Sequence, residues 1–474
     1  MKILLTGATG YIAKRLLPRL LAEGHEVVCC VRDLKRFDIS RYPNDRLSVI
    51  EVDFLKPSTL GEILPGFDAA YYLIHSMSTT TGQFEEMEKL SAENFRDQLS
   101  QIGVKQVIYL GGIVNNEELS RHLSSRKNVE EILGQGRYHL TTLRAAIIVG
   151  SGSASFEIIR DLVEKLPVMV APKWLNTKCQ PIAIQNVVQM LQGVLGQEET
   201  FDRSFDIGGP EILTYKEMLL QFAEVRKLKR FIGVVPVMTP KLSSYWLYFI
   251  TSTSYKLAVN LVDSMKVEVI CRGPELHKLL DIDLIQYREA VRMAFGRIEQ
   301  QEVVSSWTDA SSGNVLGAGI SALINIPVYG CLRDQKKAEI RDPAGVLKRI
   351  WAIGGRNGWY YGNWLWGLRG FVDKLVGGVG LRRGRRNNSD LSAGDALDFW
   401  RVLLADKQGM RLQLYAEMKL PGEAWLEFEI RENVLYQTAT FRPRGLWGRV
   451  YWYALLPFHL FIFRGMIRRI AYGE

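Results

Sequence analysis

From residue 2 to about 181, short apolar and β-branched runs alternate with longer stretches at helical spacing. Residues 3–5, 26–28, 47–50, 69–73, 106–110 and 140–143 read as strands, and the segments between them are long enough for helical crossovers. Strands alternating with helices predict an α/β fold, a doubly wound parallel sheet covered on both faces. Residues 205–210 add a short strand and turn, and apolar helical stretches continue to about 298. The pattern then changes. Residues 305–322, rich in Ser and Gly over most of their length, read as a linker between a first domain, 1–304, and a second, 323–474. Trp and Gly crowd residues 351–380, and Arg382, Arg383, Arg385 and Arg386 make a basic loop. Residues 411–420, 424–431 and 434–442 read as antiparallel strands, with Leu426, Phe428 and Ile430 alternating with Glu427, Glu429 and Arg431. An aromatic helix follows over about 446–471, giving the second domain an α+β pattern.

The sharpest motif is Thr6-Gly7-Ala8-Thr9-Gly10-Tyr11-Ile12-Ala13, between the first strand and the first helix. Gly7 permits a tight turn, Gly10 lets backbone approach a pyrophosphate, and Ala13 allows close helix–strand packing. Amides at the helix start then receive negative charge. In that position the motif predicts a Rossmann domain that binds NADP or NAD. The second strand ends in Val31-Arg32-Asp33-Leu34-Lys35-Arg36. Arg32, with Arg36 one turn on, suits a 2′-phosphate and favours NADP, whereas a shift of one residue would bring in the acid Asp33. Asp53 closes the third strand, where it can accept from the adenine amino group. His75 ends the fourth and reads equally as a ribose contact or an ordinary loop histidine.

These residues resemble the atypical, extended short-chain dehydrogenase/reductase family, in its NmrA-like and complex-I-accessory-subunit-like branch. The resemblance runs over about residues 1–298. It is carried by residues 6–13, Arg32, Asp53, Leu110-Gly111-Gly112, Leu143-Arg144 and Gly150-Ser151-Gly152. It implies NADP or NAD binding, with Gly111 at the cofactor and Arg144 at a substrate or phosphate. Hydride transfer often accompanies binding in this family. Active members use a Tyr, and a Lys four residues later that lowers the Tyr pKa and binds ribose. Here His122 takes the Tyr place, Arg126 the Lys place, and Gly111 or Gly112 the place of the catalytic Ser. Histidine moves protons near neutral pH, and Arg126 can bind ribose but cannot deprotonate. Tyr415-Ala416-Glu417-Met418-Lys419 matches the spacing, but on a strand of the second domain, and reads as chance. The expectation is an NADP-preferring oxidoreductase with a small, apolar substrate. The alternative is a cofactor-binding sensor or assembly protein that does no chemistry.

Strands followed by a long C-terminal helix resemble the helix-grip fold of polyketide cyclases and lipid-transfer proteins. An uncharacterised domain of this kind is often appended to this dehydrogenase branch. The resemblance implies a cavity for an apolar ligand. Residues 450–463 are free of formal charge but, at 14 residues with Pro457 inside, fall short of a span, so no transmembrane helix is expected. Arginines on both sides suit peripheral contact with an anionic membrane. The chain of 474 residues carries a net charge of +9, which suits anionic cofactor phosphates or a membrane surface. No nucleic-acid-binding signature accompanies it. Five cysteines at spacings that suit no metal read as buried free thiols in a reducing compartment. With no signal peptide at the N-terminus, these features read as a cytoplasmic protein without a metal site.

Overall fold

Seven apolar runs of the N-terminal part pair into one parallel sheet. They are β1 (Lys2–Leu5), β2 (Glu26–Val31), β3 (Leu47–Glu51), β4 (Ala69–Tyr72), β5 (Gln106–Gly112), β6 (His139–Ala145) and β7 (Arg203–Ile207). Their spatial order is β7-β6-β5-β4-β1-β2-β3. The order reverses between β1 and β4, so a crevice opens outside their carboxyl ends. The computed structural model describes residues 1–34, 37, 39, 42, 44–74, 84–114, 121–235, 262, 264–273, 275–299, 331–355, 357–380, 390–443 and 445–473. Two compact units emerge, residues 1–251 with 256–313, and residues 252–255 with 314–474. The expected linker, 305–322, lies outside the described residues.

Alternation along each strand sends neighbouring side chains to opposite faces of the sheet. On one face, Ile3, Leu5, Val27 and Cys29 meet Leu16, Leu17 and Leu20 of α1 (Ala13–Ala22). Val187 and Leu191 of α4 (Ile184–Gly193) pack into the same core. On the other, Leu4, Val28, Cys30 and Tyr72 meet Phe95 and Leu99 of α2 (Phe84–Ile102). Ile132 and Leu133 of α3 (Arg121–Leu133) complete that layer. Each fully buried aliphatic side chain contributes about 1.5–3 kcal/mol, which holds both helical layers on the sheet. Cys29 and Cys30 part to the two cores as strand alternation requires, and burial pushes the Cys29 thiol up to about 12. None of the five cysteines forms a disulfide; Cys29, Cys30 and Cys179 are buried, but Cys271 and Cys331 are only half-buried, short of the burial expected. The helical stretch after β7 ends in α5 (Tyr287–Glu299).

The second unit is a six-stranded antiparallel sheet where three strands were expected. Its strands are β8 (Leu332–Glu339), β9 (Ala396–Leu397), β10 (Trp400–Asp406), β11 (Arg411–Ala416), β12 (Gly422–Arg431) and β13 (Val434–Pro443), in the order β8-β13-β12-β11-β10-β9. Among the described residues, three helices accompany the sheet: α6 (Pro343–Trp351), α7 (Asn363–Leu375) and α8 (Gly445–Tyr472). Its core joins Trp351, Trp359, Phe399 and Phe428 to Met466 and Ile470 of α8. The Trp359 indole donates to the buried Asp398 at 2.7 Å. Helix α8 is continuous over 28 residues, with Pro457 inside. By length and composition alone it is enough to cross a membrane, although its charge-free stretch is 14 residues. Tyr415 lies on β11 with its ring against Trp425, and the Lys419 ammonium donates to Val376 O at 2.8 Å.

Candidate functional site

β1 runs into the glycine turn, and α1 opens with Ile12 at its N-cap. Gly7 sits at φ +64°, and a Cβ there would lie 2.5 Å from the carbonyl oxygen of Leu73. Only glycine relieves both constraints. The Gly10 amide donates to Gly7 O at 2.7 Å, and a Cβ at Gly10 would approach that oxygen to 2.9 Å. Thr6 is buried; its hydroxyl donates to Tyr71 O at 2.8 Å and accepts from the Leu73 amide at 3.3 Å. Thr6 therefore ties β1 to β4 beneath the turn and shapes the cleft from below. Ala13 is buried in the core that α1 shares with the sheet. Helix α1 has no side-chain cap and no acid in its first turn. Its first amides and its positive dipole end thus suit an anion. The Arg15 guanidinium lies 3.9 Å from the Tyr11 ring centre and donates to Tyr11 O and Ser151 O, fixing the turn to the loop beyond β6.

Gly7, Thr9 and Gly10 share one cleft with Arg32, Asp53 and Leu73, from the carboxyl ends of β1 to β4. Arg32 is exposed on the cleft wall, whereas Asp33 is buried beside it. Of the two, Arg32 is the one among the residues lining the cleft. Asp53 is held by its own turn. The Leu55 amide donates to its Oδ1 at 3.1 Å, and Oδ2 lies 4.0 Å from the Lys56 ammonium. Arg36 and His75 lie outside the described residues.

Glu88 and Ser91 of α2 also line the cleft, and nothing in the sequence reading singled them out. The signal was there: Glu88 stands four residues before Ala92 and seven before Phe95, on the stripe that packs into the sheet. Ser125 of α3 donates to Glu88 Oε2 at 2.5 Å, and the Tyr72 hydroxyl donates to Ser91 at 3.2 Å. Next to them a hollow is lined by Tyr72, Glu88, Tyr109, Leu110 and Arg126. The Tyr109 hydroxyl donates to Arg126 O at 3.3 Å. Burial raises the Tyr109 phenol, with Arg126 opposing it, and also raises Tyr72, so both stay protonated. Gly111 stands near the end of β5, where a Cβ would meet the Tyr109 ring at 3.0 Å. The structure thus brings Arg126 to the side of the cleft. His122 belongs to the first turn of α3, four residues earlier, and its side chain lies outside the described residues.

Arg144 sits elsewhere than expected. Its guanidinium makes a two-bond fork to Glu130 of α3, at 2.9 and 2.7 Å, with Asp206 of β7 3.9 Å away. Ser204 donates to the same Glu130 carboxylate at 2.7 Å. Arg144 therefore fastens α3 to the sheet. Among the described residues, no cluster of His, Cys, Asp and Glu could hold a metal.

Residues 7–149 match the family described as NAD(P)H-binding, and residues 331–466 match a protein family of unknown function, DUF2867. Among curated proteins, the chain is 24% identical over 246 residues to a photosystem II assembly factor, Ycf39, of Trieres chinensis, covering 49% of this chain and 73% of that protein. It is 23% identical over 147 residues to the Synechocystis protein of the same name, covering 31% of this chain and 44% of the relative. Among solved structures, a nucleoside-diphosphate-sugar epimerase from Staphylococcus aureus superposes with a TM-score of 0.51 at 15% identity, over 62% of this chain and all (100%) of the other. A Citrobacter triphenylmethane reductase, complexed with NADP(H), gives 0.51 at 17% identity, over 62% and 100%. At these identities the structures speak to the fold alone.

Proposed function

We propose that the N-terminal unit binds NADP in preference to NAD and uses it as an oxidoreductase on a small, apolar substrate. The observation that carries the reading is the cleft wall at the end of β2, where Arg32 is exposed and Asp33 is buried. A guanidinium there recognises a 2′-phosphate, while a buried carboxylate is withdrawn from the ribose hydroxyls. The rest of the cleft fits the same ligand. The left-handed Gly7 and the uncapped start of α1 suit a pyrophosphate, and Asp53 suits the adenine amino group. When bound, the nicotinamide supplies or accepts a hydride. His122 delivers the proton, and Arg126, on the same helix, holds ribose or phosphate. The antiparallel unit with its long helix is read as a helix-grip domain that holds or presents the apolar substrate.

Proton delivery by His122 has a distinct pH signature. Reduction needs the protonated imidazole, so its rate should fall as pH rises through the ordinary histidine range, about 6.5. The test is NADPH oxidation with carbonyl and enone substrates at about pH 6 and about pH 8, repeated with His122→Asn. Faster turnover at the lower pH, lost in the variant, supports the assignment; equal activity in both proteins contradicts it.

A second reading is that the protein binds the cofactor without chemistry, as a sensor or assembly factor. It is favoured by the two glycines that end β5 and by the likeness to the Ycf39 assembly factors. Tight NADPH binding with no turnover of any such substrate would select it.

A further inference from the structure

Helix α7 buries Trp366 in the core and exposes a second apolar stripe. Trp364, Leu368, Phe371, Val372 and Leu375 recur at helical spacing and are exposed, Trp364 to 70% and Phe371 to 55%. Its inward residues include Gly370 and Asp373. Asp373 is fully buried, accepting from the amides of Gly380 at 2.9 Å and Lys419 at 2.7 Å, so the one acid of the helix is turned away from solvent.

Helix α8 continues this surface. Tyr361, just before α7, packs its ring 5.2 Å from Phe461, and Trp366 of α7 lies 6.4 Å from Phe463 of α8, so the two helices are neighbours. The outward side of α8 shows Trp447 at 79%, Val450, Tyr453, Phe458 and Phe461, and then turns cationic at Arg464 and Arg468. The helix carries four arginines and no acid. Near its C-terminal end a groove is lined by Lys336, Tyr361, Phe461, Arg464, Arg468 and Tyr472. Exposed large apolar groups on two touching helices exceed what a solvated surface needs.

We propose that α7 and α8 together dock this protein onto an anionic lipid bilayer, lying in the plane of the interface. The aromatic and aliphatic side chains enter the acyl boundary, and Arg464 and Arg468 meet the phosphate headgroups. Charge complementarity selects this occupant, because an acid-free helix with arginines beside its apolar stretch matches a surface that is apolar beneath and anionic above. Helix α8 cannot both span and keep its fold, since Phe463, Met466, Ile467 and Ile470 are built into the core of the antiparallel sheet. The inference is independent of the oxidoreductase reading.

The test is flotation of the full chain with vesicles of phosphatidylcholine mixed with phosphatidylglycerol, and of phosphatidylcholine alone. Wild type should float with the anionic vesicles. Trp364→Ser with Phe371→Ser should lose roughly tenfold or more in partitioning per ring removed. Arg464→Ser with Arg468→Ser should lose roughly fivefold per charge, on anionic vesicles only. Circular dichroism and thermal melts identify any variant that fails to fold. If such a variant appears, quenching of wild-type tryptophan fluorescence by brominated lipids decides, and it should be strongest for bromines near the headgroups. A wild type that stays unbound overturns the proposal, as does quenching strongest at the bilayer centre. So does a dimer that the double aromatic variant makes monomeric while no vesicle binds, which would mark the face as an interface between copies.

Discussion

At Gly7 a left-handed φ of +64° coincides with a carbonyl oxygen 2.5 Å from where a Cβ would stand. Gly7→Ala is therefore expected to lose about 1–3 kcal/mol of stability, the range for strained backbone, and to weaken NADPH binding by moving the turn. Chemical denaturation and calorimetry check both, and unchanged values would contradict the role of the turn. His459 offers a test in the second unit. It stacks on Phe463 at 5.2 Å and packs on Trp452. Burial lowers its pKa below the usual 6.5; Asp334 opposes this and the Arg369 charge adds to it. Folding thus favours the neutral ring. Stability is full above the unfolded-state value and falls as pH drops through it, because the unfolded chain takes up the proton first. His459→Phe should flatten the pH dependence of the melting temperature between about pH 7 and about pH 5. An unchanged slope would remove His459 as its source.

At the scale of elements, α3 is held to the sheet by charge as well as by packing. Glu130 receives Arg144 and Ser204 together, and burial raises the neighbouring Asp206 carboxyl, with the Arg272 amide and Arg144 opposing. Glu130→Ala should cost about 1.5–3 kcal/mol, the range for hydrogen bonds to charged groups. It should also speed amide exchange along α3, and exchange at the wild-type rate would show that packing alone holds the helix. This fastener was not legible in the sequence, where Arg144 is simply a cation at a strand end; its partner lies 14 residues upstream on another element. The central parallel strands β1, β2, β4 and β5 were legible because they are buried on both faces and so read as continuous apolar runs. β8 was not. It is an edge strand written Leu-Arg-Asp-Gln-Lys-Lys-Ala-Glu, whose Asp334 and Lys336 pair with each other at 2.5 Å. Helix α7 escaped because apolar residues lie on both of its faces, Trp366 inward and Trp364, Leu368 and Phe371 outward, which blurs the helical period. The glycine turn could be read directly, because glycine identity itself reports backbone geometry. Glu88 could not, since a glutamate in a polar helix looks solvated until its register on the buried stripe is noticed.

Across the whole molecule, each unit has its own aromatic or aliphatic core and its own surface chemistry. The parallel unit places a cation and an uncapped helix start around one cleft, and the antiparallel unit exposes an acid-free apolar helix. The net charge of +9 serves both readings, phosphates in one unit and anionic headgroups in the other. The central claim is that the cleft is an NADP site selected by Arg32. Calorimetric titration of wild type and Arg32→Ala with NADPH and with NADH tests it most directly. The account predicts NADPH tighter than NADH by roughly tenfold or more in wild type, from one charge-assisted contact, and no preference in Arg32→Ala. Equal affinities of the wild type for the two cofactors, or a preference that survives the substitution, would contradict it.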